Sequence, residues 1–157
     1  MEGISRRTAL TAPSLLLTSG MAESAAMRPS AEAALRDFLK AFENCDLPRM
    51  ERAFAADSTH FDRAPAGTAP NFADYRRGSG MPPGMRKLAM QLPQTRPGPP
   101  YHEVTPKDLV VQTMGDIAIC TFHLESQKSL ARRTVVLRWE TDDWKIAHLH
   151  ASNIARS

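Results

Sequence analysis

The sequence predicts an α+β domain, with helices first and an antiparallel meander of strands after them. Three observations carry this. Apolar residues recur at helical spacing through Ala34, Leu35, Phe38, Leu39 and Phe42. From Tyr101 onward, β-rich runs alternate with turns at Gly115-Asp116 and Thr141-Asp142-Asp143. Between the two lies a stretch broken by Pro65, Gly67, Pro70, Gly78, Gly80, Pro82 and Pro83, too interrupted for a long element. With 157 residues, 42% hydrophobic and 24% charged, the chain suits one globular domain with a sizeable core.

The amino terminus reads as a targeting segment. Arg6 and Arg7 precede a weakly apolar stretch from Ala9 to Ala22, and Ser24-Ala25-Ala26 offers a cleavage site. This is the layout of a bacterial export signal of the twin-arginine class, so residues 1–26 are expected to be removed on export. Residues 27–157 then form the single domain, exported to the periplasm or beyond if the signal is real and cytoplasmic otherwise. The net charge of +3 is mild. Arg76, Arg77, Arg86, Lys87 and Arg96 lack interleaved aromatics, so a solvated loop surface is expected there and no nucleic-acid partner. No apolar run approaches the ~20 residues that span a bilayer, so no membrane partner is expected once the signal is gone. Cys45 and Cys120 have no metal-ligand spacing and read as ordinary thiols, with a disulfide open only to an exported chain.

Each element has its own signal. Ser30 caps the first helix, with Glu32 in its first turn, and the helix ends near Asn44-Cys45. Asp46 caps a second, shorter helix with Pro48 in its first turn and Met50, Ala53 and Phe54 on its apolar face. Thr59-His60-Phe61-Asp62 reads as a short strand. A helical turn fits Phe72–Arg76, and residues 84–92 fit a helix through Met85, Leu88, Ala89 and Leu92. Strands follow over Asp108–Met114, Ile117–Glu125, Arg132–Glu140 and Trp144–Asn153, with Ser126–Ala131 as a polar connection. Apolar residues on both faces of Ile117–Glu125 indicate a central, covered strand. In the last strand, simple alternation puts Trp144, Ile146, His148, His150 and Ser152 on one face. Lys145, Ala147, Leu149, Ala151 and Asn153 take the other.

On these residues the chain resembles the nuclear transport factor two-like superfamily, in its SnoaL-like branch. The helix junction at Cys45-Asp46-Leu47, the passage Ala55-Ala56-Asp57 to Phe61-Asp62 and the hairpin Gly115-Asp116-Ile117-Ala118 match it. Arg133-Thr134-Val135-Val136 and Trp144–Ser152 resemble the family's ending most closely. The resemblance implies a cone, in which a curved antiparallel sheet wraps around the amino-terminal helices and leaves a pocket at the open end. It also implies a homodimer formed through the sheet. Members include isomerases, cyclases, dehydratases and pure binding or assembly domains, so function must come from the site.

The resemblance puts Asp62 where ketosteroid-isomerase relatives carry a catalytic base; a carboxylate in an apolar pocket has the raised pKa that such proton transfer needs. Those relatives place a tyrosine donor on the first helix, and this chain has Phe38 there. His60 shares a strand face with Asp62 and could complete an acid–base pair. Arg133 could hold a carboxylate or enolate through paired hydrogen bonds. His123 is a further polar contact, or else a hydrogen-bonded core histidine. Tyr75 and Tyr101 are the only tyrosines and could act as donors from loops. His148 and His150 have workable metal spacing but lack further ligands, so no metal and no cofactor are expected. In the kinase association domain, which has a similar ending, the face opposite the matching histidines lines the pocket. That places Leu149, Ala151 and Asn153 in it. The relative's two pocket arginines are replaced here by Val135 and Ala151. The expected function is binding of a small organic ligand, with cofactor-free isomerisation, cyclisation or dehydration as the chemistry. The alternative is a non-catalytic assembly or binding module.

Overall fold

A computed structural model describes residues 28–61, 80–125 and 129–155. The expected export signal over residues 1–26, Asp62, the expected turn at Phe72–Arg76 and Tyr75 all lie outside the described residues. Helix α1 spans Ala31–Glu43, with the Ser30 hydroxyl accepting from the Ala33 amide. Helix α2 spans Leu47–Arg52, with the Asp46 carboxylate accepting from the Arg49 amide. Between them the chain reverses at Cys45, which has a φ of 51°. The Asp46 amide donates to the Ala41 carbonyl and the Cys45 amide to the Phe42 carbonyl. Paired bonds of this kind close a helix end around a left-handed residue, a place glycine usually takes.

Strand β1 (Phe54–Phe61) starts well before the four residues that alternation suggested and ends one residue short of Asp62. Helix α3 covers Pro83–Thr95, a turn longer than its apolar spacing indicated. Strands β2 (Lys107–Met114), β3 (Ile117–Glu125), β4 (Ser129–Glu140) and β5 (Asp143–Ala155) form the meander. Strand β4 takes in residues 129–131, expected as a connection, because Ala131 is buried and pairs with both Leu124 and Asn153. The sheet order is β1-β5-β4-β3-β2. The four meander strands pair antiparallel, whereas β1 joins β5 in parallel. The α+β expectation therefore holds, with one parallel pair added.

The core lies between the helices and one face of the sheet, here called the inner face. Leu35, Phe38 and Leu39 of α1 pack with Ala118, Cys120, Phe122, Val135, Leu137, Ile146 and Leu149, all buried. Each large apolar side chain so buried contributes about 1.5–3 kcal/mol. Ile117 and Ile119, on the outer face of β3, stay half-exposed. Strand β3 is paired on both edges but covered on one face only.

Strand β5 does not alternate as a simple strand. Val136 pairs with His148 and Leu137 with Ile146, so one step on β4 matches two on β5. Ala147 is the extra residue of a β-bulge, and a bulge shifts the phase of everything beyond it. Trp144 and Ile146 therefore share the inner face with Leu149, Ala151 and Asn153, and His148, His150, Ser152 and Ile154 take the outer face beyond the bulge. This corrects the expectation that Trp144 and Ile146 share a face with the two histidines.

The end of the sheet at the β4–β5 turn is tied to the start of the described chain. The Trp144 indole donates to the Pro29 carbonyl at 2.8 Å. The Arg28 guanidinium lies 4.3 Å from the Trp139 ring and 4.1 Å from the Trp144 ring, and pairs with Asp116 at 2.8 Å. Stacking of this kind over indoles is favourable by about 0.5–2 kcal/mol.

Candidate functional site

Beyond the bulge, the inner face opens into a cavity of about 440 Å³. Its sheet wall is Arg133, Leu149, Ala151, Asn153 and Leu124. Its helical wall is Phe42 from α1 and Pro82, Gly84, Met85 and Leu88 at and after the entry to α3. The lining is apolar apart from Arg133 and Asn153. The guanidinium Nη1 donates to the Arg132 carbonyl at 2.9 Å, and to the Ser152 carbonyl and the Asn153 Oδ1 at 3.3 Å each. Anchored on β4 and β5 together, Arg133 holds a fixed position, and the guanidinium fork suits carboxylate or carbonyl oxygens.

Phe42 is set by a residue that sequence reasoning did not single out. His102 Nε2 donates to the Phe42 carbonyl at 2.8 Å, and its ring meets the Phe42 ring edge-on at 4.4 Å. A carbonyl only accepts, so the proton sits on Nε2. Close by, Glu43 accepts from the Val104 amide at 3.2 Å and the Tyr101 amide donates to the Glu43 carbonyl at 2.8 Å. The segment after α3 thus fastens the end of α1 that carries the aromatic wall.

The structure brings Arg133, Leu149, Ala151 and Asn153 into one cavity and separates the other candidates. Phe38 lies in the core, edge-on to Phe54 at 5.5 Å, and does not line this cavity; Phe42, one turn later, does. His123 lies on the outer face, opposite Arg132, with its Nδ1 3.3 Å from an Asp108 carboxylate oxygen. It is therefore not a contact of the Arg133 cavity, because the β3 residues facing inward are Ala118, Cys120, Phe122 and Leu124. His60 is 8% exposed and its Nδ1 is buried with no hydrogen-bond partner. It lines a different cavity, on the far side of α3. Leaving such an atom unsatisfied costs roughly 1–3 kcal/mol.

His148 and His150 point outward, with the Phe61 ring 5.6 Å and 6.0 Å from theirs. Thr59 Oγ1 lies 2.7 Å from His148 Nδ1. Burial, then the neighbouring His150 and His60, hold His148 below its ordinary value of 6.5. Among the described residues, no group of three or more His, Cys, Asp or Glu side chains could hold a metal ion. Cys45 and Cys120 are both free thiols. Burial, with Glu32 adding to it, pushes the Cys120 thiol up to about 11, which leaves it protonated and a poor nucleophile at neutral pH.

Residues 31–157 match the SnoaL-like domain family. The chain belongs to that family. No functionally curated protein matches it. The SnoaL-like domain is similar in structure to a cystatin-like fold protein from Burkholderia xenovorans, with a TM-score of 0.55 and 20% identity over 80% of this chain and 90% of that one. A protein of unknown function from Pectobacterium atrosepticum aligns with a TM-score of 0.54 and 18% identity, covering 78% and 87%. The CaMKII hub of S. rosetta aligns at 0.53 with 18% identity, covering 78% and 93%. At these identities the likenesses show the fold. Among the described residues, no helix is long and apolar enough to cross a membrane.

Proposed function

We propose that this SnoaL-like domain binds a small, mostly apolar organic molecule carrying a carboxylate or carbonyl group, in the cavity between α1, α3 and the inner face of the sheet. The supporting observation is an anchored cation, Arg133, beside Asn153 in a chamber of ligand size whose other described lining residues are apolar. Burial of the apolar body would supply affinity, and Arg133 with Asn153 would orient the polar end. Among the described lining residues none is a proton-transfer group, since Arg133 stays charged at all working pH values. That favours binding over acid–base turnover.

The test is a thermal-shift titration against small aromatic carboxylates and their neutral amide isosteres. The acids should raise the melting temperature, and Arg133→Leu should weaken them by about tenfold while sparing the amides. Ala151→Trp should fill the chamber and abolish both responses. Unchanged binding by Ala151→Trp would place the ligand elsewhere.

A second reading, self-association through the outer face, has its own support. Phe61, Val110, Met114 and Ile154 expose large apolar side chains, and all four lie on that face. A dimer by light scattering that Met114→Glu dissociates is the expected result, and a wild-type monomer would remove this reading. Export through Arg6 and Arg7 belongs to the same proposal; amino-terminal sequencing of protein from its native host should find residues 1–26 gone.

A further inference from the structure

We propose that the groove between β1 and α3 is a second binding site, which takes a small organic anion with a short apolar body. Its cavity of about 530 Å³ is separate from the Arg133 chamber, and helix α3 is the partition. Gly84, Met85 and Leu88 face one side of the partition. Arg86, Lys87, Met90 and Gln91 recur at helical spacing on the other. His60 of β1 faces them, together with Met81.

The chemistry of this lining is one-sided. No carboxylate lines the groove among the described residues. The Arg86 charge is balanced by an ion pair with Glu51. Among the described residues, nothing pairs with the Lys87 ammonium. The Gln91 amide adds a neutral donor beside it. The His60 ring is more than nine-tenths buried and its Nδ1 lacks a partner, an arrangement that folded proteins rarely keep without a reason. A cation, an amide and an unsatisfied imidazole around one groove suit a carboxylate. Met81 and Met90 supply unbranched, polarisable walls that adapt to an apolar body.

Methionines in both cavities give a site-resolved test on one protein. With ¹³C-methyl-labelled methionine, Met81 and Met90 report on the groove and Met85 on the Arg133 chamber. Benzoate is the charged probe and benzamide its neutral isostere. Benzoate should move the Met81 and Met90 methyl signals at about tenfold lower concentration than benzamide does. It should also shift the His60 imidazole nitrogen signals. Lys87→Ala, at an exposed helical position, should erase the benzoate preference at Met81 and Met90 and leave the Met85 response as it was. Met81 and Met90 signals that ignore benzoate, or respond identically in Lys87→Ala, would overturn the second site. A silent Met85 with responding Met81 and Met90 would instead remove the chamber reading and leave this one standing.

Discussion

The two faces of the sheet are built from the same five strands and do opposite work. The inner face is apolar to the point of closure: Val135, Leu137, Ile146 and Leu149 are each at most 4% exposed. Arg133 with Asn153 interrupts it where the packing gives way to a chamber. The outer face carries cross-strand polar pairs instead. Thr121 stands opposite Thr134, His123 opposite Arg132, and Arg138 reaches over β5 to Asp57 at 2.7 Å. A charge is costly to bury and cheap to solvate, so Arg133 is held on the inner face by hydrogen bonds to β4 and β5, while cations on the outer face meet water and surface carboxylates. This is why Arg133 is a candidate contact and Arg132, its neighbour in sequence, is not.

The bulge at Ala147 maintains the contrast, and removing it is the most severe way to break it. Deleting Ala147 forces either Trp144 and Ile146 or Leu149 and Ala151 onto the outer face. The loss should be on the order of 5 kcal/mol or more, because several buried side chains change sides together. Thermal unfolding followed by circular dichroism should show a lost or non-cooperative transition; a wild-type melting curve would mean that the register can slip without penalty. A milder comparison pairs one truncation on each face. Leu137→Ala should cost about 2–5 kcal/mol by urea unfolding, whereas Thr121→Ala, across the sheet on the exposed side, should stay within about 0.5 kcal/mol. Equal losses would show that the outer face is covered in solution, which would sharpen the case for self-association.

The smallest effect is a pH dependence from His148. Its folded pKa is lowered below 6.5, so the folded state resists a proton that the unfolded chain accepts. Its contribution is fully present above pH 6.5 and is lost as the pH falls from there through the lowered folded value. The residue is only partly buried, so solvent screening keeps the effect to about a few tenths of a kcal/mol. His148→Gln should flatten the stability profile between pH 7 and 5; an unchanged slope would assign it to another group.

Much of this was readable from residue order, and the rest fails for identifiable reasons. Helical spacing and the Ser30 and Asp46 caps located α1 and α2, because caps and periodicity are local. Parity along Leu149, Ala151 and Asn153 placed them together, since no bulge intervenes between them. Trp144 and Ile146 were put on the wrong face because Ala147 is itself apolar, so both phases of alternation had apolar support. His60 and Arg133 could both be read as inward-facing polar residues, but nothing local says that α3, more than 20 residues further on from His60, packs between their cavities. Phe42 was legible: it lies four residues after Phe38 on the same helical face and needed only the inference that the stripe runs out of the core into the chamber.

The seating of Arg28 between the two indoles makes that end of the sheet an attachment point. Trp139 stands six residues along β4 from Arg133, which is roughly 20 Å of extended chain. Whatever is joined ahead of Arg28, whether a tag, a fluorophore or a surface tether, starts from the opposite end of the strand to the ligand chamber. The domain can therefore be immobilised by its amino terminus for binding measurements with the chamber left open to solution.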